Sequence, residues 1–232
     1  MAKKKVAASK RSAKAEEDGS TKSKVFVEIP RLRQVETEIV LVGDRPLLVN
    51  NKMAQAEGIA AKYDGGKSGS VPKDTVPPEQ MYKNAFYVLP DSKYPAPHSK
   101  ARYGIPASGI KKCACSAIRT TGINDNTTVG LIAKSFWVLA DSGGLCLLSY
   151  EKLERDIRAA AIGSGAKTVP SMRYRPMFHG WKIRLRLKYN AKVLSQEQIL
   201  NLFMHAGQYI GLCEMRAEKK QGECGGFYVE GT

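Results

Sequence analysis

The nine residues from Trp181 to Tyr189 constrain the fold more than any other stretch of this sequence. Apolar residues at every second position alternate with four basic residues, Lys182, Arg184, Arg186 and Lys188. Because strand side chains point alternately to two faces, the pattern predicts a strand with one buried face and one face carrying cations about 7 Å apart. A helix would scatter these cations around its circumference. The basic face indicates either an anion-binding surface or a solvated sheet surface or guarded edge strand.

The charge balance of the whole chain favours the first of these interpretations. The 232 residues include 37 Lys and Arg against 22 Asp and Glu, a formal net charge of +15. The hydrophobic content of 43% is enough for a folded core. A folded chain with such an excess of positive charge is expected to bind an anionic polymer or surface, and nucleic acid is the first candidate.

Several other classes of protein are disfavoured. No run of about 18 apolar residues is present, so no membrane span is expected, and no apolar segment of signal-peptide type follows the basic N-terminus. The five cysteines show no regular spacing and fit a reducing compartment, which predicts a cytoplasmic location. Cys113 and Cys115 would point to different faces of a helix, so neither a metal site nor a cofactor is predicted.

The predicted domain organisation is a disordered basic arm followed by one folded domain. Residues 1–24 contain Val6 as their only bulky apolar residue and cannot bury enough surface to fold. Residues 25–232 are expected to form a single domain with insertions. The longest insertion is a mobile loop at about 64–78, rich in Gly, Ser, Lys and Pro.

Periodicity, turn residues and capping signals predict the elements of this domain. Besides 181–189, strands are expected at 25–29, 35–42, 47–49, 86–89, 127–139, 145–150 and 227–229. Residues 141–144 are expected to form a hairpin turn. Helices are expected at 50–63, 77–85, 106–121, 151–161 and 195–209. The last of these helices begins with a capping box in which Ser195 and Gln198 cap each other's backbone.

Two segments combine a helix start or glycines with basic residues. Tyr103–Lys112 holds a proline, small residues and two lysines, and Arg216–Val229 holds three cations and three glycines. Both resemble segments of the RAMP superfamily, the RNA-binding backbone subunits of CRISPR effector complexes and their phage-encoded relatives. The resemblance implies an α+β fold with a ferredoxin-like (RRM-type) antiparallel sheet, helices on one face and long inserted loops. It also implies RNA as the ligand, and repeated copies of the chain along it, as a homo-oligomer or within a larger complex.

The candidate nucleic-acid contacts come from four places in the sequence. Glycines let backbone N–H groups approach phosphate, and a helix N-terminus with flanking lysines favours an anion. Tyr174 or His179 offers a ring that can stack on a base. The predicted binding residues are Lys111, Lys112, Arg173, Tyr174, Arg175, His179, Lys182, Arg184, Arg186, Lys188, Arg216, Lys219 and Lys220.

These residues predict a non-enzymatic protein that grips the phosphate backbone, with weak sequence preference and steep salt dependence. The resemblance favours RNA as the nucleic acid. Three alternatives stay open: a single-stranded DNA-binding or annealing protein of a mobile element, a RAMP-type ribonuclease, and an assembly protein whose basic strand pairs with an acidic partner. For the ribonuclease, Asp64 and His179 are the residues whose replacement would test cleavage.

Overall fold

A computed structural model describes residues 29, 31–51, 77–162, 169–219 and 222–231, and the side chains of these residues except at 160–162 and 169–171. The chain divides into two units, Met1–Arg31 and Leu32–Thr232, and only Ile29 and Arg31 of the first are described. Four predictions therefore fall wholly or mostly outside the described residues. They are the arm at 1–24, the strand at 25–29, the helix at 50–63 and the loop at 64–78.

The described part of Leu32–Thr232 contains nine β-strands and four α-helices. The strands are β1 Gln34–Gly43, β2 Leu47–Leu48, β3 Gly104–Pro106, β4 Phe136–Leu139, β5 Leu145–Ser149, β6 Lys152–Ile162, β7 Val169–His179, β8 Lys182–Asn190 and β9 Phe227–Val229. The helices are α1 Pro78–Asn84, α2 Ala107–Ala117, α3 Asn126–Lys134 and α4 Gln196–His205. A 3₁₀ turn, Ile118–Thr121, extends α2, and a π-helical turn, Ala206–Ile210, extends α4. None of the described helices is both long enough and apolar enough to cross a membrane.

The fold is a mixture of helices and antiparallel sheets. The larger sheet has the order β3-β5-β8-β1-β9, with β4 also paired to β8, and the smaller has the order β2-β7-β6. One edge of β8 pairs with β1 from Gln34↔Asn190 to Val42↔Lys182. The other edge is shared by β4 and β5. The strand predicted from the alternating pattern is thus confirmed, and its central position excludes the guarded edge strand as an explanation of its cations.

Helices α2 and α4 cover the apolar face of the larger sheet. Buried Ile183, Leu185 and Leu187 of β8 belong to the same core as Ile110 of α2 and Phe203 of α4. Burying an aliphatic or aromatic side chain of this size stabilises the fold by about 1.5–3 kcal/mol. No helix in the described part of the chain covers the side chains on the other face of β8, and this surface is called the open face below.

Trp181 fixes the point at which β8 begins. Its side chain is fully buried, and its Nε1–H donates to the backbone oxygen of Arg45 at 2.7 Å. The indole lies against Gly43, where an added Cβ would come within 2.2 Å of the ring. The residue that opens the alternating pattern is therefore anchored in the core, and this anchoring sets which face each following residue of β8 occupies.

Several sequence predictions are confirmed at the level of single contacts. Helix α2 continues through its 3₁₀ turn to Gly122, which has a φ of 88°. The capping box of α4 is formed, with the Gln198 N–H donating to Ser195 Oγ at 3.1 Å and the Ser195 N–H donating to Gln198 Oε1 at 2.9 Å. Strands β1, β5 and β9 and helix α1 lie close to their predicted positions.

Other predictions are wrong because non-local pairing or capping outweighs local propensity. Most of the strand predicted at 127–139 is α3, whose N-cap Asp125 accepts the Thr128 N–H at 2.7 Å, and only its end forms β4. The helix predicted at 151–161 is instead β6, which pairs with β7 over eleven residues. The strand predicted at 86–89 is reduced to one bridge, Val88↔Tyr103.

The turn predicted at 141–144 is formed, but its strands are arranged differently. The Asp141 N–H donates to the Leu145 oxygen at 2.8 Å, as a hairpin turn requires. Beyond that turn, β4 and β5 do not continue as a hairpin. They follow one another along β8, with Leu139 opposite Arg186 and Leu148 opposite Ile183.

Candidate nucleic-acid interface

The open face carries the four cations that the sequence pattern predicted there. Exposed fractions of the side chains are 51% for Lys182, 75% for Arg184, 49% for Arg186 and 35% for Lys188. The residues between them are buried. The cations therefore form a row along the middle strand of the sheet, called the cation row below.

Each member of the cation row has a carboxylate neighbour that the sequence did not reveal. The N···O separations are 3.1 Å for Lys182–Glu230, 3.9 Å for Arg184–Glu38, 3.7 Å for Arg186–Asp141 and 3.7 Å for Lys188–Glu36. Glu36 and Glu38 lie on β1, beside the row in the sheet. Exposed pairs of this kind contribute only about 0–1 kcal/mol, so a phosphate can displace the carboxylate at little cost. The row is open to solvent and partly neutralised.

Two exposed aromatic rings flank the cation row at opposite ends. Trp137 of β4 lies directly opposite Lys188 and is 42% exposed. Tyr228 of β9 lies opposite Val42, which in turn lies opposite Lys182, and it is 50% exposed. Directly opposed residues of antiparallel strands project from the same face, so both rings lie on the open face. Sequence reasoning missed these rings, although each alternates with buried residues in a short strand.

Helix α2 brings the predicted lysine pair to the edge of the same sheet. The Nζ of Lys111 lies 5.3 Å from the ring centroid of Trp137, while Lys112 is exposed. Pro106 occupies the N-cap position, where no described side chain caps the helix, and the first turn contains no acidic residue. No acidic side chain of the first turn therefore offsets the positive end of the helix dipole, although the Ala107 N–H already donates to the Gly144 oxygen at 2.9 Å. An anion at this helix start stays a prediction.

Arg175 is not available to phosphate, contrary to the sequence prediction. It is only 5% exposed. Its Nη2 donates to Asp156 Oδ2 at 3.0 Å and its Nη1 to Glu214 Oε2 at 3.2 Å. Asp156 is its direct neighbour in the hairpin formed by β6 and β7, called the β6–β7 hairpin below. The guanidinium acts as the centre of a buried ion cluster that links this hairpin to the segment before β9.

Tyr174 and its neighbourhood are also engaged within the chain. The guanidinium of Arg155 lies 4.9 Å from the Tyr174 ring centroid and 4.8 Å from that of Tyr82. Arg155 also donates to Glu79 at 2.6 Å. Arg173 is half-buried and forms no ion pair within the described part of the chain. One face of the predicted stacking ring therefore already has a cationic partner.

His179 lies at the base of the β6–β7 hairpin, beside a carboxylate. Its Nε2 is 3.0 Å from Glu154 Oε2, and Lys152 Nζ is 3.3 Å from the same oxygen. Lys152 first, and then His179, lower the pKa of Glu154 below its ordinary value. The Glu154 carboxylate therefore holds the His179 imidazole at the protein surface. Asp64, the other residue considered for cleavage, lies outside the described residues.

The glycine-rich segment before β9 turns inward. The Arg216 guanidinium donates to Glu218 at 2.6 Å and to the Cys213 oxygen at 3.0 Å; Lys219 is exposed, and Lys220 lies outside the described residues. Gly225 has a φ of 71°, and its N–H donates to the Pro46 oxygen at 2.8 Å. A Cβ at Gly225 would lie 2.0 Å from the Leu212 oxygen. This glycine allows close backbone packing within the chain. Its N–H is already bonded, which contradicts the prediction that it is open to phosphate.

The cysteines are free thiols within this framework. Burial raises the pKa of Cys113 and of Cys146 to about 12, so both thiols are neutral at physiological pH. Cys113 Sγ lies 3.2 Å from the Gly211 oxygen. Among the described residues, no group of three or more His, Cys, Asp or Glu is placed to hold a metal ion.

No protein-family model matches the chain, and no curated protein matches it. The interpretation of this surface therefore depends on its own geometry and charge.

Proposed function

We propose that the protein is a non-enzymatic nucleic-acid-binding protein whose open face holds a single strand. The observation that carries this proposal is the cation row lying between two exposed rings, Trp137 and Tyr228. Cations bind the phosphate backbone of any sequence, and aromatic rings stack on any base that is not paired. The combination favours a single strand with weak sequence preference over a duplex, whose bases are hidden.

A ferredoxin-like core is proposed as the scaffold of this face. If β2, α1, β3, α3, β6 and β7 are left aside, the remaining elements follow one another along the chain as β1, α2, β4 with β5, β8, α4 and β9. In space the order is β9, β1, β8, and then β4 or β5. This arrangement of split βαβ units, with α2 and α4 on one side of the sheet, supports the fold that the RAMP resemblance implies. The smaller sheet then belongs to insertions.

RNA is the proposed nucleic acid, and the preference for RNA over DNA rests on the RAMP resemblance. The open face supplies cations and rings, which serve either polymer. Several copies of the chain along one strand are the arrangement expected from that resemblance. The cytoplasmic location is expected from the irregularly spaced cysteines. A direct comparison of matched RNA and DNA oligonucleotides decides between the proposed function and a single-stranded DNA-binding protein.

The decisive experiment reverses charge in the middle of the cation row. For R184E/R186E we expect affinity for a single-stranded RNA oligonucleotide to fall by more than about tenfold at low salt, with a shallower dependence on salt. The melting temperature should barely change, because both side chains are exposed and weakly paired. Fluorescence anisotropy at several salt concentrations and thermal unfolding measure the two effects.

The matched control is K83E/R119E, which changes the charge by the same amount at exposed residues of α1 and of the 3₁₀ turn that extends α2, outside the sheet. This variant should retain most of the affinity. If both double variants lose affinity equally, the protein responds only to its net charge. If neither loses affinity, the open face is not the binding surface.

A further inference from the structure

A cleft of about 690 Å³ opens next to the Lys182 end of the cation row. Residues 97–101 form one wall and residues 148–153, at the junction of β5 and β6, form the other. Ser149 in this second wall lies directly opposite Lys182 in the sheet. The volume lies within the range of about 300–1,000 Å³ that is typical of small-molecule sites. Because Ser149 neighbours Lys182, a nucleic-acid strand bound on the open face would reach the cleft along the protein surface.

One wall of the cleft carries a stacked pair of aromatic rings. The imidazole of His98, which lines the cleft, is parallel to the ring of Tyr94, with 4.4 Å between centroids and an interplanar angle of 7°. Both residues are exposed. Because Tyr94 covers one face of the imidazole, the other face or the ring edge is left to line the cleft. The pair is a ready-made platform for a third ring.

The backbone under this ring pair is fixed by hydrogen bonds. The hydroxyl of buried Tyr103 donates to the His98 oxygen and accepts from the His98 N–H, both at 3.0 Å. Ser92 Oγ donates to the Tyr94 oxygen at 2.9 Å. The Lys100 N–H donates to His98 Nδ1 at 3.0 Å, which places the proton of the neutral imidazole on Nε2. A platform ordered in advance loses little entropy when a ligand binds.

The remaining lining residues define the chemical class of ligand. Lys100, two residues after His98, is exposed and lines the cleft, and Ser149 and Glu151 line it from the other segment. The Glu151 carboxylate lies against Gly180. A carboxylate only accepts hydrogen bonds, so Glu151 favours a base edge that offers N–H donors, as guanine does. An aliphatic ligand would form no hydrogen bond with any of these polar groups.

We propose that this cleft binds one unpaired nucleotide, with its base stacked on the His98–Tyr94 pair and its phosphate near Lys100. The nucleotide can belong to a strand lying on the open face, in which case the inference rests on the proposed function. A free mononucleotide presents the same base and phosphate. The experiments below separate these two sources.

The first experiment asks whether the cleft recognises a base. Guanosine monophosphate is titrated into the full-length protein while the ring resonances of His98 and Tyr94 are followed by NMR, with assignments from H98A and Y94A. Ribose 5-phosphate is the comparison compound. Shifts that occur with the nucleotide and not with the sugar phosphate support the proposal. No shifts with either compound, or equal shifts with both, overturn it.

The second experiment asks whether a strand uses the same platform. For Y94A/H98A we expect affinity for a single-stranded RNA oligonucleotide to fall by about tenfold, the loss of one stacked base. The salt dependence should stay unchanged, because no charge is removed. H98F keeps a ring beside Tyr94 and should bind within about twofold of the natural protein. Thermal unfolding checks that the variants are folded.

The matched control is Y209A/H205A. These two residues also form a Tyr–His pair, with 5.6 Å between centroids, but the rings are tilted by 41° and lie on α4 and its π-helical turn. Because His205 and Tyr209 line a surface cavity together with Tyr228, this control measures the general effect of losing an exposed Tyr–His pair, and it should lose less affinity for RNA than Y94A/H98A. An equal loss in both double variants overturns the specific role of the His98–Tyr94 pair.

The outcomes for the cleft and for the open face can be told apart. If the protein binds no oligonucleotide but shows base-dependent ring shifts, the proposed function is refuted and the cleft is a site for a free nucleotide. If it binds RNA equally well with and without Tyr94 and His98, and guanosine monophosphate shifts neither ring, the proposed function stands and the cleft proposal is refuted. Displacement of guanosine monophosphate by the oligonucleotide identifies the strand as the source of the nucleotide.

Discussion

Two segments of this protein share a basic–apolar–basic pattern and have opposite structural roles. Arg184 and Arg186, on either side of Leu185 in β8, are exposed on the open face, and Arg184 keeps 75% of its side chain in solvent. Arg175, two residues after Arg173 in β7, is almost wholly buried and bonded to Asp156 and Glu214. The comparison shows that an arginine beside an apolar strand residue is exposed to solvent or becomes the centre of a buried ion cluster according to what the neighbouring segments place beside it.

The two environments also differ in the energy of their ion pairs. In the cation row a broken pair is replaced by water, so each pair contributes about 0–1 kcal/mol. Around Arg175, Asp156 is itself 7% exposed, and water cannot fully replace Arg175 if that residue is removed. Arg158 remains as a second partner of Asp156 at 2.6 Å, so the expected cost is that of lost hydrogen bonds to a buried charge, about 1–3 kcal/mol. The same residue type is therefore replaceable in one region and required in the other.

The largest expected effect comes from R175M. Removing the guanidinium takes away its ion pairs with Asp156 and Glu214, while Arg158 still donates to Asp156 Oδ1 at 2.6 Å. We therefore expect the free energy of unfolding to fall by about 1–3 kcal/mol, the cost of losing hydrogen bonds to a buried charged group. Urea unfolding followed by circular dichroism measures the loss. R184M is the matched control; its only carboxylate neighbour among the described residues is 3.9 Å away, and its effect should stay below about 1 kcal/mol.

The same comparison can be tested by removing both charges at once. R175M/D156L replaces the buried pair by apolar groups and leaves Arg158, whose side chain is 37% exposed, to be hydrated. It should therefore recover part of the stability lost in R175M. If R175M and R184M destabilise the protein equally, burial does not distinguish the two regions.

A smaller effect is expected when a carboxylate on the open face is neutralised. E38Q removes the negative charge beside Arg184. Phosphate then no longer competes with the Glu38 carboxylate for Arg184, and affinity for single-stranded RNA should rise by about two- to fivefold at low salt. E197Q makes the same change at an exposed residue of α4 and should leave affinity unchanged. Anisotropy titrations compare the two variants. An unaltered affinity for E38Q would show that the pair does not compete with the ligand.

The smallest effect concerns an exposed ion pair on the β6–β7 hairpin itself. Lys152, and then His179, lower the pKa of Glu154 in the folded state, so this interaction stabilises the fold above the ordinary pKa of the carboxyl and is lost as pH falls through the lowered one. NMR titration should show Glu154 ionising below its ordinary value of 4.5. In K152M the pKa should move back upward. A pKa of Glu154 that does not respond to K152M would assign the shift to another cause.

Structure was predicted from the sequence most accurately where the sequence signal is local and repeated. The alternation in β8 predicted its buried and exposed faces residue by residue, and the capping residues predicted the start of α4. Prediction was less accurate where partners come from far along the chain. The pairing of β6 with β7, the carboxylates beside the cation row and the inward turn of Gly225 all depend on segments that the local pattern does not identify.

The sequence alone determined that β8 is a strand with an apolar and a basic face, because a period of two fixes side-chain direction whatever the strand pairs with. Only the tertiary structure decided which basic residues remain open. Strand register set Asp156 against Arg175 in a buried site, set Glu36 and Glu38 beside exposed cations, and brought Trp137 and Tyr228 to the same face. The physical reason is that the energy of a charge depends on its solvation and its neighbours, and both are set by long-range packing.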